Sequence, residues 1–389
     1  MVTANGTTNG TNGHAKIRYA RLLFAYRLEM SGIDKILYSP LTPGVYAPIP
    51  TFFLEGTEEL DVPTFKKHII HLARAGMGIL VSGSMGEAHH LTPEERIVLI
   101  HAAREALDSI GHNTTPVIAG TGIGSTKGTI ELTRQAAEAG ADYSIVIASG
   151  YYAGALNSEA LTRFFLDVAA ASPIPVIVYN YPGASGGIDL DSDTIEKIAA
   201  EAPNTCGVKL TCGNVGKLTR IAATTAVPSF EKLHPRKNND APFLVLGGFA
   251  DFILPSAFAR AHGAISGLGN FAPYTLARLT RLSFEAVTNP SVLAEAQHLQ
   301  DIVARADRTI AVTGIAGTKD LLERAFGYGG APRLPLVRAT KEAGAKLWDH
   351  PHVVAIREKE AELSASASKT SSKASVPSEI HAQPVVISA

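Results

Sequence analysis

Lys209 stands in a short apolar run, Thr205, Cys206, Gly207, Val208, Lys209, Leu210 and Thr211, with Pro203 and Asn204 before it and Gly213 and Asn214 after it. Such a run reads as a buried strand that ends in a turn. An ammonium group is strongly hydrated, so apolar walls favour the neutral amine, and a neutral amine attacks carbonyl carbons. The alternative is a lysine at a strand end, its stem buried and its head in solvent. Which reading holds depends on what the fold brings beside Lys209.

Other stretches carry groups of use to such an amine. Gly83, Ser84, Met85, Gly86 and Glu87 form a run of small residues that can turn backbone N–H groups and a hydroxyl towards a carboxylate or phosphate. Tyr179, within Val178, Tyr179, Asn180, Tyr181 and Pro182, offers a phenol that can pass a proton. Gly150, Tyr151 and Tyr152 close another apolar run. Gly247 with Gly248, and Gly263, Ala264, Ile265, Ser266 and Gly267, leave room for a ligand to lie close to the backbone.

Placing these groups together is the task of the surrounding elements. Short apolar runs alternate with longer amphipathic segments, the pattern of a parallel sheet with crossover helices. Eight rounds are expected: strands at 45–53, 79–81, 117–119, 144–148, 176–179, 207–210, 243–246 and 264–268, with helices at 62–75, from Thr92 onward, 125–139, 158–171, 191–200, 215–223, 252–261 and 274–286. Thr92, Pro93, Glu94 and Glu95 have the form of a capping box. Eight such units over a length near ~250 residues predict a closed (β/α)8 barrel, an α/β fold whose reacting groups sit at the carboxyl ends of the strands. The candidate residues all fall at those ends.

The expected organisation is an N-terminal extension over 1–40, the barrel over 41–288, a C-terminal helical segment over 289–360 and a disordered tail over 361–389. Residues 1–13 are dominated by Thr, Asn and Gly, too polar to bury anything. Residues 16–30 are basic and poor in acids, which reads either as a short packing helix or as a mitochondrial presequence. A cytoplasmic location is expected, with mitochondrial as the alternative.

A formal net charge of −1 and a pI near 6.9 leave no electrostatic footprint for nucleic acid or an anionic membrane. Two cysteines, Cys206 and Cys212, match neither a disulfide framework nor a zinc site. No apolar run approaches the roughly 20 residues of a membrane span.

With these motifs in this order, the sequence resembles the dihydrodipicolinate synthase and N-acetylneuraminate lyase superfamily over residues 43–286. The resemblance implies a class I aldolase in which Lys209 forms an imine with the 2-oxo carbon of pyruvate or a longer 2-oxo acid. It implies that Ser84 and the Met85 amide hold the carboxylate, that Tyr179 relays the proton of carbon–carbon bond cleavage or formation, and that Tyr152 completes the relay across a subunit contact. Gly83, Gly248 and Ile265 are expected to line the substrate, and neither metal nor organic cofactor is implied. The resemblance further implies a homo-oligomer, a dimer or a homotetramer, and a small-molecule 2-oxo acid as partner.

Two departures bear on substrate. The arginine by which the synthases grip a second carboxylate is replaced by Ala184, and a threonine common after the cradle serine is Met85. Both point towards relatives that cleave 4-hydroxy-2-oxoglutarate or 2-keto-3-deoxy sugar acids to pyruvate and an aldehyde, with the sugar-acid branch preferred. Synthase-type condensation stands as the alternative, beside a barrel enzyme of another class that uses Lys209 as a simple charge, and a catalytically silent barrel that binds a protein.

Several features are read as structural. His89 and His90 are adjacent, point different ways and are placed at the pocket mouth rather than on a metal. His68 and His71 share a helical face as surface or packing residues. The run from Gly120 to Gly124 is a tight turn that lacks the spacing of a phosphate loop. Tyr151 and Tyr181 are taken as packing aromatics.

Overall fold

The computed structural model describes residues 39–371. The leader expected over 1–13, the basic stretch over 16–30 and the part of the tail beyond 371 lie outside the described residues. Eight strands close into a parallel barrel in chain order. They are β1 (Gly44–Pro48), β2 (Gly78–Val81), β3 (Val117–Gly120), β4 (Tyr143–Ile147), β5 (Val176–Asn180), β6 (Thr205–Leu210), β7 (Leu244–Gly247) and β8 (Gly263–Ile265). Because β8 pairs with β1, the sheet has no open edge. The expected (β/α)8 barrel is the architecture found.

The helices around it are α1 (Val62–Arg74), α2 (Pro93–Asp108), α3 (Thr126–Glu138), α4 (Ser158–Ala171), α5 (Ser192–Glu201), α6 (Val215–Thr225), α7 (Pro228–Leu233), α8 (Ile253–Phe258) and α9 (Pro273–Ala286). Each of α1 to α6 starts behind a short polar residue whose side chain accepts an amide of the first turn: Asp61, Thr92, Ser125, Asn157, Asp191 and Asn214. These caps satisfy donors that a helix start otherwise leaves free. At α2 the capping box is complete, since the Glu95 carboxylate also accepts the Thr92 amide at 2.9 Å.

Beyond the barrel come α10 (Leu293–Ala311), α11 (Gly314–Phe326), α12 (Lys341–Trp348) and α13 (Pro351–Ser371). The last helix runs past residue 361, where the tail was expected to begin. Its Glu360 carboxylate accepts the Tyr274 and Thr275 amides at 3.0 and 2.8 Å and the Thr275 hydroxyl at 2.7 Å. Ala272, at the cap position of α9, has no side chain for this purpose, so the C-terminal helix supplies the cap.

Strand alternation divides the core. Val146, Val176, Val178, Val208 and Val245 face outward against Phe165, Ile195, Leu218 and Ile221. Tyr46, Leu80, Ile118, Ile145, Ile177, Tyr179, Leu244, Leu246 and Ile265 fill the barrel interior. In β6 the alternation is reset: Val176 pairs with Thr205 but Ile177 pairs with Gly207, so Cys206 is an extra residue. This bulge lets Cys206 and Lys209, three positions apart, both face inward.

The first and last strands are shorter than expected. β1 stops at Pro48 rather than 53, because Pro48 and Pro50 have no N–H to give a ladder. β8 stops at Ile265 and turns through a 3-10 segment, Gly267–Asn270. The short helix α7, opened by Pro228, was not anticipated.

Candidate active site

Lys209 leaves β6 near its carboxyl end and is only 5% exposed. Its ladder partner on β5 is Tyr179, and Nζ lies 4.2 Å from the centre of the Tyr179 ring. Among the described residues Nζ has no ion pair and no hydrogen bond. Burial pushes the amine down to about 7, with no carboxylate to oppose it. The solvent-reaching alternative for Lys209 does not hold, because the side chain ends inside the barrel against an aromatic ring.

Tyr179 is buried as well, and its phenol is raised by burial while the hydroxyls of Ser84 and Thr211 lower it. These two hydroxyls therefore flank the phenol from the turns after β2 and β6. Thr211 Oγ1 is buried and among the described residues forms no well-aligned hydrogen bond. Tyr181 stacks on Tyr179, with ring centres 5.7 Å apart and planes 25° from parallel. Asn180, between them, is buried and donates to Asp189 at 2.7 Å while accepting the Leu190 amide at 2.9 Å. Asp189 in turn pairs with Lys217, so the loop after β5 is anchored from behind.

The turn after β2 holds Gly83, Ser84 and Met85 between two residues with left-handed backbone, Ser82 at φ 52° and Glu87 at φ 56°. Strained positions of this kind persist only where the surroundings fix them. A Cβ on Gly83 would stand 2.7 Å from Leu80 Cδ2, and one on Gly86 would stand 2.8 Å from the Ile49 carbonyl oxygen. Arg96 braces the turn from outside, donating to the carbonyls of Ala88 and Gly120. Ser84 thus reaches Tyr179, and Met85 crosses the mouth to lie over Gly267 beyond β8.

Gly248 packs so close to Thr211 that a Cβ would stand 2.1 Å from Oγ1. Its amide donates to the Leu210 carbonyl at 2.9 Å. Ile265 is fully buried in the barrel interior beside Tyr46. The loops after β7 and β8 are joined by Asp307 of α10, which accepts the Ala250 amide at 2.8 Å and the Ser266 hydroxyl at 3.4 Å. Burial raises the Asp307 carboxyl to about 7.

Lys209, Tyr179 and Ser84 are thus brought together, with Gly83, Met85, Gly248 and Ile265 in the elements around them. Tyr152 is not: it is 65% exposed, and its ring meets Tyr151 at 5.0 Å. Tyr151 is 88% exposed, so the packing role expected of it is corrected; the turn after β4 carries it outward. His89 is exposed, whereas His90 stands 3.1 Å from the Glu87 carboxylate. His68 is fully buried, its Nε2 facing Asn270 Oδ1 and its Nδ1 facing the Tyr328 hydroxyl, each at 3.1 Å. Asn270 Nδ2 donates to Pro48 and Gly267 carbonyls, which leaves Oδ1 as acceptor and places the His68 proton on Nε2.

Sequence reasoning missed Thr211 and Asp307. Thr211 was findable, since it stands two residues after Lys209 and so shares its face of the strand. Asp307 carried no such signal, lying on a helix 41 residues from Ser266.

Residues 43–350 match the dihydrodipicolinate synthetase family. The chain is 41% identical over 316 residues to L-threo-3-deoxy-hexylosonate aldolase of Aspergillus niger, covering 78% of this chain and 92% of that one. It is 45% identical over 309 residues to an Emericella nidulans protein named 4-hydroxy-2-oxoglutarate aldolase, mitochondrial, covering 79% and 93% respectively. A crystal structure of a dihydrodipicolinate synthase family protein from Coccidioides immitis superposes with a TM-score of 0.70 at 34% identity, covering 84% of this chain and 100% of that chain.

Proposed function

The chain belongs to the dihydrodipicolinate synthetase family, and from that premise we propose that it is a class I aldolase, a carbon–carbon lyase that cleaves or forms a 2-keto-3-deoxy or 4-hydroxy-2-oxo acid through an imine on Lys209. The observation that carries this reading is a buried amine, pushed down to about 7 by burial, resting against the ring of Tyr179. Near neutral pH such an amine is partly unprotonated and can add to the C2 carbonyl of a 2-oxo acid. Protonation of the carbinolamine hydroxyl and its departure as water then give a protonated imine.

The imine accepts the electron pair when the C3–C4 bond breaks, which a ketone does less well. The C4 hydroxyl gives its proton to Tyr179 Oη as the phenol passes its own proton along the Ser84 and Thr211 hydroxyls to water, and the aldehyde departs. The remaining enamine receives a proton at C3 by the same route. Hydrolysis releases pyruvate and restores the amine. The Gly83 to Met85 turn is assigned to the substrate carboxylate, through the Ser84 hydroxyl and the backbone amides.

Ala184 is exposed on the loop after β5 and brings no cation there, which favours cleavage over synthase-type condensation. Tyr152 is assigned to a relay completed in an oligomer, since its exposure on the single chain leaves the ring free for a second copy. Among the described residues no helix is long and apolar enough to cross a membrane. The basic stretch 16–30 and a relative whose name places it in the mitochondrion support the mitochondrial alternative, which a fluorescent fusion with and without residues 1–38 tests.

The substrate is tested by pyruvate release from a panel comprising 4-hydroxy-2-oxoglutarate and both epimers of 3-deoxy-hexulosonate. Release from at least one member is expected, and release from none contradicts the reading.

A further inference from the structure

Behind the Ser84 turn lies a pair of opposite charges that the proposed chemistry does not use. Glu87 and Lys319 of α11 are both wholly buried side chains, and Nζ donates to Glu87 Oε1 at 2.6 Å. The second carboxylate oxygen accepts the Arg333 amide at 2.8 Å and stands 3.1 Å from His90 Nδ1. Lys319 also donates to the Ala331 carbonyl at 3.0 Å. Residues 331–333, on the strap between α11 and α12, are therefore fastened to the turn by one carboxylate and one amine.

The strap is fixed from its outer side too. Arg333 forks onto both oxygens of Glu95, at 2.6 and 2.8 Å, and donates to the His90 and Glu58 carbonyls at 2.7 and 2.6 Å. Lys319 Nζ lies 4.7 Å and the Arg333 guanidinium 4.3 Å from the centre of the Phe53 ring. Gly329 passes so close to α11 that a Cβ would stand 2.1 Å from the Lys319 carbonyl oxygen, so the course of the strap allows little variation.

Stability does not require this arrangement, because an apolar pair of similar volume is often as stable as a buried ion pair. What the pair does is fix one geometry and cancel one charge. Glu87 closes the turn through its own amide, which donates to the Ser84 carbonyl at 3.2 Å. An unpaired carboxylate at the root of that turn would repel the anion the turn is assigned to bind. We propose that Lys319 is a positioning residue for substrate binding, holding Glu87 neutralised and locked to the strap so that the Gly83 to Met85 turn accepts a carboxylate; this rests on the aldolase reading of that turn.

The experiment compares the full-length parent with Lys319→Met, Glu87→Gln and the double variant Glu87→Gln/Lys319→Met. KM and kcat are taken from pyruvate release, thermal unfolding reports the fold, and borohydride trapping with pyruvate reports the imine. Lys319→Met is expected to raise KM about tenfold or more with kcat changed far less, the signature of weakened binding rather than altered chemistry. The double variant, which removes both charges, is expected to return KM to within about threefold of the parent. A folded Lys319→Met with unchanged KM overturns the proposal, as does a KM raised equally in the single and double variants. Should Lys319→Met fail to fold, Lys319→Gln, which keeps a donor but drops the charge that neutralises Glu87, gives the same readout: a several-fold KM rise supports the proposal and an unchanged KM overturns it. Failure of the parent itself to trap pyruvate strikes the aldolase reading instead, so the two failures are distinct.

Discussion

Lys209 and Tyr179 face each other as ladder partners on β6 and β5, with the lysine nitrogen 4.2 Å from the centre of the phenol ring. The ring face attracts the ammonium form, while burial favours the amine, and burial is the stronger effect because among the described residues Nζ has no carboxylate partner. The balance leaves the amine near 7, where it can be neutral for attack and the resulting imine can carry a proton.

The first prediction is a pH profile. Only the unprotonated amine adds to the carbonyl, so kcat/KM rises as pH is raised through about 7 and then levels, as steady-state assays at fixed ionic strength will show. Stability follows by linkage. In the unfolded chain the lysine keeps its ordinary value of 10.5, so between about 7 and 10.5 the unfolded state binds more protons and stability rises with pH. Lys209→Met removes that rise, and denaturant titrations across the window measure the difference.

Tyr179→Phe keeps the ring against Lys209 and removes only the hydroxyl. It is expected to form the imine with pyruvate as the parent does, while cleavage slows by ~10²-fold or more, the loss typical of one general acid or base. Turnover equal to that of the parent would show that the relay runs elsewhere.

Thr211→Val tests the second hydroxyl beside that phenol. Because Thr211 Oγ1 is buried without a well-aligned hydrogen bond, an isosteric methyl is expected to leave stability unchanged or raise it by up to about 1 kcal/mol. Turnover is nonetheless expected to fall. Thermal melts read beside kcat separate the two effects, and a parallel loss of both would indicate that the residue serves only packing.

Glu360→Ala should cost about 2 kcal/mol of stability, because two backbone amides and one hydroxyl at the start of α9 lose their acceptor. Urea unfolding measures the change. The KM at permissive temperature is expected to hold, since Glu360 touches neither Lys209 nor the Gly83 turn.

The sequence carried the barrel plainly, because each strand and its crossover helix announce themselves locally through an apolar run, a turn and a polar cap. The helix at 158–171 is found at the bounds the periodicity indicates, and the Thr92 capping box is complete. Lys209 was legible because a charge inside an apolar run conflicts with its surroundings. Less legible were features set by contacts distant along the chain. The bulge at Cys206 shows only once β6 is aligned with β5, the cap of α9 comes from Glu360 some 85 residues away, and the partner of Glu87 lies 232 residues on. No local pattern marks a carboxylate whose counter-ion sits on another helix. Likewise α13 continues through Ser-rich and Ala-rich positions read as tail, although the residues that anchor it against α9 and α10, Val353, Ile356 and Glu360, all lie before them.

The most direct test is to incubate the protein with pyruvate and borohydride and map the reduced adduct by mass spectrometry. A single stable modification on Lys209, absent from Lys209→Ala and accompanied by loss of turnover, is the predicted result. An adduct on another lysine, or undiminished turnover in Lys209→Ala, would contradict the account.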